Sequence, residues 1–395
     1  MISRNVRLEQ INHALDTHQI VILTGPQGCG KGTLVRRIAG QRCGHLYDLS
    51  DPVTALDPEI VESATRELQG LCIFKEMQLL PERVHWIRSA LRDSHQRRSI
   101  LLVCSAMSKE LRQFIESLTG EIKWIHMSGL AIDEVDSTAV ERVWLCGGYP
   151  QSFMSVSDEA SMNWRTTWIH SHLESIVSKN GFRIPAAKLK RFWHMLVHVH
   201  GSIPKTADLA RSMGVKEKSV KSYLRVLDDS FLIRRLLPCS CETGKRLIKS
   251  PKLYIRDSGL LHATLGITNR SELFTHPCLA LSWQGFALEQ VIQLTGSEQK
   301  ARFYQTHAGA RLELVIQKDS IRVGFDFQFR DTPKTTKSMH SAIHDLALDR
   351  LFIVYPGRHC HQLSDKIHAI PLTQIRTQLQ QEHLIFSSQS TQKTR

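Results

Sequence analysis

The N-terminal third of the chain alternates short apolar runs with stretches of helical periodicity. An amphipathic helix that ends near Thr17 comes first, and runs of buried-strand length follow at Val21–Thr24, His45–Ser50, Leu71–Phe74 and Ser99–Cys104. Alternating strands and helices predict a parallel sheet that is covered by helices on both faces. We therefore expect residues 1–130 to form one α/β domain.

Residues 181–260 have the pattern of a small helical DNA-binding module. A helix is predicted near Leu189–Val199, and Thr206–Leu224 reads as a helix, a glycine turn and a second helix, which is helix-turn-helix spacing. The apolar run Phe231–Leu237 follows as a predicted wing strand. We interpret the segment as a winged-helix domain.

The remaining segments complete the predicted organisation. Residues 131–180 turn helical around the Gly-Pro break at Gly147–Pro150 and predict a helical lid. A helix through Trp283–Ile292 and four later strands predict a third α/β domain over residues 261–386. The polar tail, residues 387–395, is expected to be frayed.

A glycine-rich turn joins the first apolar run to a helix in the layout of a phosphate-binding P-loop. The turn and the start of the helix comprise Gly25, Pro26, Gln27, Gly28, Cys29, Gly30, Lys31, Gly32, Thr33 and Leu34. Glycines let backbone N–H groups converge on an anion, the helix N-terminus adds partial positive charge, and Lys31 can reach the terminal phosphates of a nucleotide. The segment predicts a nucleotide site, with ATP as the expected ligand.

The residue after the P-loop lysine departs from the usual pattern. Ser or Thr normally stands there and ligates magnesium, but this chain has Gly32, with Thr33 one place later. The Gly-Lys-Gly-Thr form is also similar to nucleotide kinases of the adenylate kinase type. Nucleotide binding is thus better supported than hydrolysis, and a nucleotide kinase stays an alternative.

Most of the excess of positive over negative charge lies in one fifth of the chain. The formal net charge is +13 over 395 residues, and residues 181–260 hold 17 Lys or Arg against 6 Asp or Glu. Such a concentration is the electrostatic footprint of a nucleic-acid-binding module. On the second helix of the helix-turn-helix, Lys216, Lys218, Lys221 and Arg225 are expected to face solvent and contact DNA. The alternative is a winged helix that serves protein contacts.

The distribution of cysteines and the hydropathy of the chain predict its cellular compartment. The nine cysteines are scattered without Cys-x-x-Cys spacing, and no apolar run reaches membrane-spanning length. The N-terminus lacks the apolar core and cleavage site of a secretion signal. These features predict a reduced, cytoplasmic protein without membrane contact.

Four segments together resemble a prokaryotic family of AAA-type ATPases. They are the P-loop, the strand end Lys75–Gln78, the Gly147–Pro150 segment and, most specifically, Gly244–Leu261. In that family the C-terminal half is a winged helix followed by a domain of unknown function with a restriction-endonuclease-like core. The resemblance covers nearly the whole chain and implies a P-loop NTPase fold that binds ATP. Because AAA-type hydrolysis often borrows an arginine from a neighbouring copy, it also allows for an oligomer.

The resemblance also identifies the magnesium ligands that this chain lacks. In relatives the second strand ends in Leu-Asp-Glu, where the Asp helps to hold magnesium and the Glu orients the attacking water. This chain has Lys75 in place of that Asp and keeps Glu76 as the candidate water-orienting residue. Because Gly32 replaces the usual threonine, both protein-side magnesium positions are altered. We expect slow or absent hydrolysis and leave the use of Mg²⁺ open.

The C-terminal domain lacks part of the nuclease pattern that the resemblance implies. Such cores place a Glu on a helix, then an Asp, then Glu-x-Lys on adjacent strands, so that carboxylates bind a metal and the lysine assists the nucleophile. The counterparts by position are Glu289, Glu313, Asp326 and Gln328, so the lysine is missing. The three acids are weak metal candidates, and we expect a degenerate domain without nuclease activity.

The sequence therefore predicts an AAA-type ATP-binding protein with a helical lid, a DNA-binding winged helix and a degenerate nuclease-like domain. One alternative is a non-catalytic, nucleotide-responsive scaffold or DNA-binding regulator that acts through a protein partner. A nucleotide kinase is the third hypothesis.

Overall fold

The chain divides into two compact units. The computed structural model describes residues 2–51, 70–80, 98–117, 122–179, 184–240 and 244–385. Unit 1 comprises Met1–Leu130, Cys146–Met195 and Thr206–Ile233, and unit 2 comprises Ala131–Leu145, Leu196–Lys205 and Arg234–Arg395. The predicted lid and winged-helix segments each contribute residues to both units, and the finer domain boundaries stay predictions. The predicted frayed tail lies outside the described residues.

The helices and strands are numbered in chain order over the described residues. The α-helices are α1 Asn5–Thr17, α2 Lys31–Arg42, α3 Lys109–Ser117, α4 Val140–Cys146, α5 Pro150–Phe153, α6 Asp158–Lys179, α7 Ala186–Val197, α8 Thr206–Met213, α9 Glu217–Asp229, α10 Ser258–Leu265, α11 Arg270–Thr275, α12 Leu279–Thr295, α13 Lys337–Leu346 and α14 Ile375–Gln381. The strands are β1 Ile20–Thr24, β2 His45–Asp48, β3 Gly70–Lys75, β4 Arg98–Cys104, β5 Ile122–His126, β6 Ile233–Pro238, β7 Lys252–Ile255, β8 Arg302–Gln305, β9 Arg311–Lys318, β10 Ile321–Phe327, β11 Arg350–Tyr355, β12 His361–Gln362 and β13 Ile367–Pro371.

Unit 1 is built on a five-stranded parallel sheet with the order β2-β3-β4-β1-β5. Every residue of β1 is buried, as expected of a strand that is covered on both faces. Val21 and Leu23 pack with α1 and α2, whereas Ile20 and Ile22 belong to the core on the opposite face, which includes Phe114 of α3. This confirms the predicted α/β domain, and it places the carboxyl ends of all five strands at one edge.

Unit 2 contains an eight-stranded mixed sheet with the order β12-β13-β11-β10-β9-β8-β6-β7. Strands β8, β9 and β10 form antiparallel neighbours, and β11 runs parallel to β10. Helix α12 precedes this three-stranded meander, and α13 connects it to β11. The predicted helix and four strands of the C-terminal α/β segment are thus confirmed.

The predicted wing strand forms, and its role as a wing stays a prediction. The helix pair α8 and α9 forms as expected, with Gly214 in the turn at φ 65°. The next strand, β6, pairs in parallel with β8 and stands between β8 and β7 in the sheet of unit 2. Strand β7 is thus both its neighbour in the sheet and the next strand along the chain, and Leu253 of β7 forms an antiparallel bridge with Ser202.

Two general expectations can be compared with the described part of the chain. Its cysteines are all free thiols. None of its helices combines the length and apolar character needed to cross a membrane.

Candidate nucleotide-binding site

The P-loop connects the carboxyl end of β1 to α2, which begins at Lys31. Gly25 has φ 155°, and a Cβ there would lie 1.9 Å from the carbonyl oxygen of Met127, so no larger residue fits. The N–H of Leu34 donates to the carbonyl of Gly30 at 3.3 Å. The amides that come before Leu34 are the ones that a helix N-terminus offers to an anion.

The P-loop lysine is folded against its own loop. Lys31 is 4% exposed, and its Nζ donates to the carbonyl oxygens of Gly25 at 2.6 Å and Pro26 at 2.8 Å. These bonds satisfy an ammonium that burial would otherwise penalise. A phosphate would bind Lys31 by replacing carbonyl contacts with stronger charge-assisted ones.

The other predicted loop residues differ in exposure. Gln27, Gly28 and Thr33 are exposed, whereas the side chains of Cys29 and Leu34 are buried. The Cys29 thiol donates to the carbonyl of Met127 at 3.3 Å. Cys29 and Leu34 can therefore offer a ligand only their backbone.

Arg4 is a loop-supporting residue that the sequence analysis missed. Its guanidinium is buried and donates to the carbonyl of Cys29 at 2.6 Å and to that of Gly129 at 3.0 Å. These bonds tie the P-loop to the segment after β5. Nothing in the local sequence around Arg4 signals this contact.

The two altered magnesium positions lie side by side. A Cβ at Gly32 would be 3.9 Å from Cε of Lys75, which ends β3. Lys75 Nζ donates to Oδ2 of Asp48 at 2.5 Å, and Asp48 Oδ1 accepts bonds from the N–H and hydroxyl of Ser50 at 3.1 and 2.6 Å. Burial acts to raise the pKa of Asp48, but the bonds from Lys75 and Ser50 outweigh it and hold the pKa below its ordinary value. Asp48 is therefore an ionised partner of Lys75 near neutral pH.

Glu76 is held beside this pair in an unusual backbone conformation. It has φ 60° and ψ 39°, which a residue with a side chain adopts rarely. Its carboxylate accepts a bond from Gln78 Nε2 at 2.6 Å and from the Ser105 hydroxyl at 2.9 Å, and Gln78 Oε1 accepts from the N–H of Ser105. The candidate water-orienting carboxylate is thus fixed by β3 and by the end of β4.

Aromatic side chains of the predicted lid segment lie against the P-loop. A Cβ at Gly28 would be 3.2 Å from Nε1 of Trp168 on α6, and Trp168 packs on Tyr149 with ring centroids 4.6 Å apart. Gly148, beside Tyr149, brings its backbone so close to Gly129 that a Cβ on Gly148 would meet the N–H of Leu130 at 2.8 Å. The Gly-Gly-Tyr-Pro segment and Trp168 of α6 thus lie against the P-loop.

A polar cavity of about 150 Å³ lies at this edge of the unit 1 sheet. It is lined by Gln27, Ser50, Lys75, Glu76, Gln78, Leu79, Ser105, Ala106, His172, Ser175, Ile176 and Ser230. The P-loop, the ends of β2, β3 and β4 and helix α6 all contribute to it. Ligands of open α/β sheets bind at the carboxyl ends of the strands, which is where this cavity lies.

Comparison with known proteins gives the family of the chain. Residues 17–136 match the family model described as an AAA domain, and residues 137–271 match a domain of unknown function, DUF8612. Two full-length relatives, the uncharacterized proteins Mb2031c of Mycobacterium bovis and Rv2008c of Mycobacterium tuberculosis, are each 38% identical over 380 residues, or 95% of this chain and 85% of the relative. The chain belongs to the family of these mycobacterial proteins. Its P-loop unit is an AAA-type ATPase domain of α/β fold.

Similar solved structures include a Walker-type ATPase of Pyrococcus abyssi and the DNA clamp loader delta protein of Bacillus subtilis. The first has a TM-score of 0.47 at 13% identity, covering 67% of this chain and 96% of that one. The second has a TM-score of 0.29 at 13% identity, covering 56% and 87%. Scores this low support no inference about what this AAA protein binds.

The four predicted DNA-contacting cations lie on the second helix of the helix-turn-helix. Helix α9 buries Val220 and Leu224, and Lys216 is its N-cap residue. All four cations, Lys216, Lys218, Lys221 and Arg225, are exposed. The helical periodicity therefore separates a buried apolar face from an exposed basic one.

The predicted nuclease-like carboxylates already have cationic or amide partners. Glu313 on β9 accepts bonds from Lys252 Nζ at 2.5 Å and from Gln284 Nε2 at 2.7 Å. Asp326 on β10 accepts a bond from Gln328 Nε2 at 3.0 Å. Burial raises the pKa of Asp326 above its ordinary value, and the nearby charge of Glu313 adds to the rise.

The helix carboxylate of that set has arginine partners instead. Glu289 on α12 forms a two-point ion pair with Arg234, and Arg256 approaches its Oε2 at 3.4 Å. In the described ranges no three or more His, Cys, Asp or Glu side chains are arranged to hold a metal ion. The geometry does not support Glu289, Glu313 and Asp326 as metal ligands.

Proposed function

We propose that this protein is an ATP-binding AAA-type switch in which hydrolysis is slow or absent, so that nucleotide occupancy itself is the signal. The observation that carries the proposal is that Gly32 and Lys75 are neighbours, a Cβ at Gly32 being 3.9 Å from Lys75 Cε, where a magnesium site needs a hydroxyl and a carboxylate. The P-loop, Lys31 and the polar cavity beside them support binding. The missing oxygen ligands disfavour a metal-dependent reaction.

The AAA-domain match weighs against the alternative that this protein is a nucleotide kinase. It covers residues 17–136, and these include the Gly-Lys-Gly-Thr segment that is similar to nucleotide kinases. A nucleotide-responsive scaffold remains compatible with the same geometry, since it differs from a switch only in what the bound nucleotide controls.

Binding and turnover of ATP by the purified chain test this proposal. We expect wild type to bind ATP and to release phosphate no faster than Lys31→Ala, which loses the charge at the phosphates. Lys188→Ala, at an exposed position on α7, is the matched control and should bind as wild type does. Steady phosphate release that Lys31→Ala abolishes would contradict impaired hydrolysis, and absence of binding would contradict the nucleotide site.

A second proposed function is DNA binding by α9. The specific support is that Lys218, Lys221 and Arg225 are exposed on the face of α9 opposite its buried residues, and that Lys216 is exposed at its N-cap. Such a face suits the phosphates and base edges of a duplex. The proposal rests on the helix-turn-helix, and the assignment of β6 as its wing stays a prediction.

Salt-dependent duplex binding tests the basic face. Each phosphate contact contributes about 0.9 to the slope of log affinity against log salt, so Lys218→Ala/Lys221→Ala should lower that slope by roughly 2. Lys109→Ala, an exposed lysine on α3, provides the control. If affinity and slope are unchanged in the double variant, α9 is not the DNA contact, and a protein partner becomes the better hypothesis.

We further propose that unit 2 carries a nuclease-like core without cleavage activity. The order of helix, three-stranded meander, helix and parallel strand supports such a core. Lys252 forms an ion pair with Glu313, and Gln328 stands at the position where the nuclease pattern has a lysine. Incubation of plasmid DNA with the protein and Mg²⁺ or Mn²⁺ should leave the plasmid intact.

A further inference from the structure

The residues at the two magnesium positions do not fit a divalent metal. Mg²⁺ requires oxygen ligands in near-octahedral geometry, and neither Gly32 nor Lys75 has a side-chain oxygen. Two carboxylates lie nearby, and both already accept hydrogen bonds. Asp48 Oδ2 accepts the Lys75 ammonium and its Oδ1 accepts both bonds from Ser50, whereas the Glu76 carboxylate accepts bonds from Gln78 and the Ser105 hydroxyl. A metal at this point would have to displace a cation that is already paired.

The site does fit a cationic side chain of the protein itself, the ammonium of Lys75. The Lys75 stem runs past Gly32, at the first turn of α2, and Lys75 lines the polar cavity together with Gln27 of the P-loop. Its side chain is 28% exposed, so a ligand in the cavity can reach it. An ammonium has three donors, and only one of them is needed for Asp48.

We propose that the Lys75 ammonium, positioned by Asp48, takes the place of magnesium, so that this site binds a nucleoside triphosphate without a divalent metal. The proposal rests on the proposed nucleotide-binding function and adds the identity of the cation. A lysine neutralises phosphate charge as a compact point charge. It cannot coordinate several oxygens at once or align them for in-line attack, which agrees with binding without efficient hydrolysis.

Asp48 is a positioning residue in this scheme. Strands β2 and β3 are parallel neighbours in register, so Asp48 stands directly opposite Lys75. The carboxylate fixes the ammonium at the edge of the sheet instead of leaving a flexible side chain in solvent. Asp48→Asn should therefore weaken metal-free nucleotide binding less than loss of Lys75 does, since the charge remains but its position is less defined.

Calorimetric titration of the full chain with ATP, in EDTA and in Mg²⁺, tests the proposal. We expect wild type to bind with the same affinity in both buffers, and Lys75→Met to bind about tenfold or more weakly in EDTA, the usual loss for a charge-assisted hydrogen bond. Lys75→Arg keeps the charge and should retain most of the metal-free binding. Lys188→Met is the matched control, and thermal unfolding of each variant verifies that it is folded.

The outcomes separate this proposal from the one on which it rests. Wild type that binds ATP only with Mg²⁺ would overturn the built-in cation and leave the nucleotide-binding switch standing. Wild type that binds in neither buffer would overturn both. Equal binding in the two buffers that is unaffected by Lys75→Met would also overturn the role of Lys75.

The reverse substitution provides an independent arm. Gly32→Thr/Lys75→Asp restores a hydroxyl and a carboxylate, and the 3.9 Å spacing between a Cβ at Gly32 and the Lys75 stem leaves room for the first change. We expect ATP binding by this variant to become magnesium-dependent, with affinity in EDTA reduced about tenfold or more relative to Mg²⁺. Metal-independent binding by the double variant would show that Lys75 is not the cation that matters.

Discussion

Two of the lysine–carboxylate pairs in the described part of the chain have the same separation and different surroundings. Lys75 and Asp48 in unit 1, and Lys252 and Glu313 in unit 2, each have an N–O distance of 2.5 Å. The side chains of the first pair are 28% and 37% exposed, and those of the second are 6% and 9% exposed. In unit 1 the lysine stands at a proposed magnesium position, and in unit 2 it pairs with a carboxylate of the proposed nuclease-like core.

The difference in burial indicates which of the two lysines can contact a ligand. Lys75 lines a cavity at the carboxyl ends of parallel strands, so its ammonium can exchange partners with phosphate oxygens. Lys252 lies on a fully buried strand and shares Glu313 with Tyr254 and Gln284. The first pair belongs to the proposed nucleotide site, and the second is part of a core.

Removal of Lys252 should produce the largest loss of stability. Breaking a buried pair leaves an uncompensated charge and costs about 3–5 kcal/mol, so Lys252→Met should lower the free energy of unfolding by roughly that amount. Lys249→Met, at an exposed position of the same segment, is the control and should change it little. Urea unfolding measures both. A loss below about 1 kcal/mol, as for exposed pairs, would remove the contrast with Lys75.

The double variant sharpens that test. Lys252→Met/Glu313→Gln removes both charges, and replacing a buried pair with neutral groups is often close to neutral for stability. We expect it to be more stable than Lys252→Met alone. Equal destabilisation in the two variants would show that packing of the lysine stem, rather than its charge, is what unit 2 needs.

Removal of Lys75 should weaken nucleotide binding and leave the stability of the protein nearly unchanged. Pairs with this degree of exposure contribute about 0–1 kcal/mol, so Lys75→Met should unfold near the wild-type urea midpoint while losing metal-free ATP affinity. The opposite result, a large loss of stability with unchanged nucleotide binding, would make Lys75–Asp48 a structural pair like the one in unit 2.

The smallest expected effect is the acid response of Asp48. Its folded-state pKa is below the ordinary 3.8, so the carboxylate contributes stability that is present above that value and is lost as pH falls through the lower, folded pKa. Asp48→Asn removes this contribution. Melting temperatures of wild type and variant should therefore differ slightly near neutral pH and converge at pH values below the folded pKa. A difference that grows on acidification would contradict the assigned direction.

Much of the unit 1 sheet could be predicted because its inner strands are buried on both faces and read as continuous apolar runs. Strand β5 was missed because Lys123 and His126 interrupt its apolar residues, as is common in an edge strand that is only partly buried. The run that became β6 could be predicted as a strand from its apolar residues. Its pairing with β8 could not, because β8 lies far along the chain.

The candidate site, too, could be predicted from the sequence only in its contiguous part. The P-loop is contiguous, so its phosphate-binding residues could be read directly from the sequence. Asp48 and Ser105 lie on other strand ends and meet Lys75 and Glu76 only through the parallel register. The available signal was that Asp48 lies near the end of a predicted strand and Ser105 directly follows an apolar run, since the ends of parallel strands gather at one edge.

Phosphate release in the presence of ATP and Mg²⁺, measured for wild type beside Gly32→Thr/Lys75→Asp and Lys31→Ala, tests the central claim most directly. The account predicts that wild type binds ATP but releases phosphate no faster than Lys31→Ala, and that the double variant gains magnesium-dependent release. Sustained release by wild type that requires Mg²⁺ and Lys31 would contradict it, because the site would then recruit a metal despite Gly32 and Lys75.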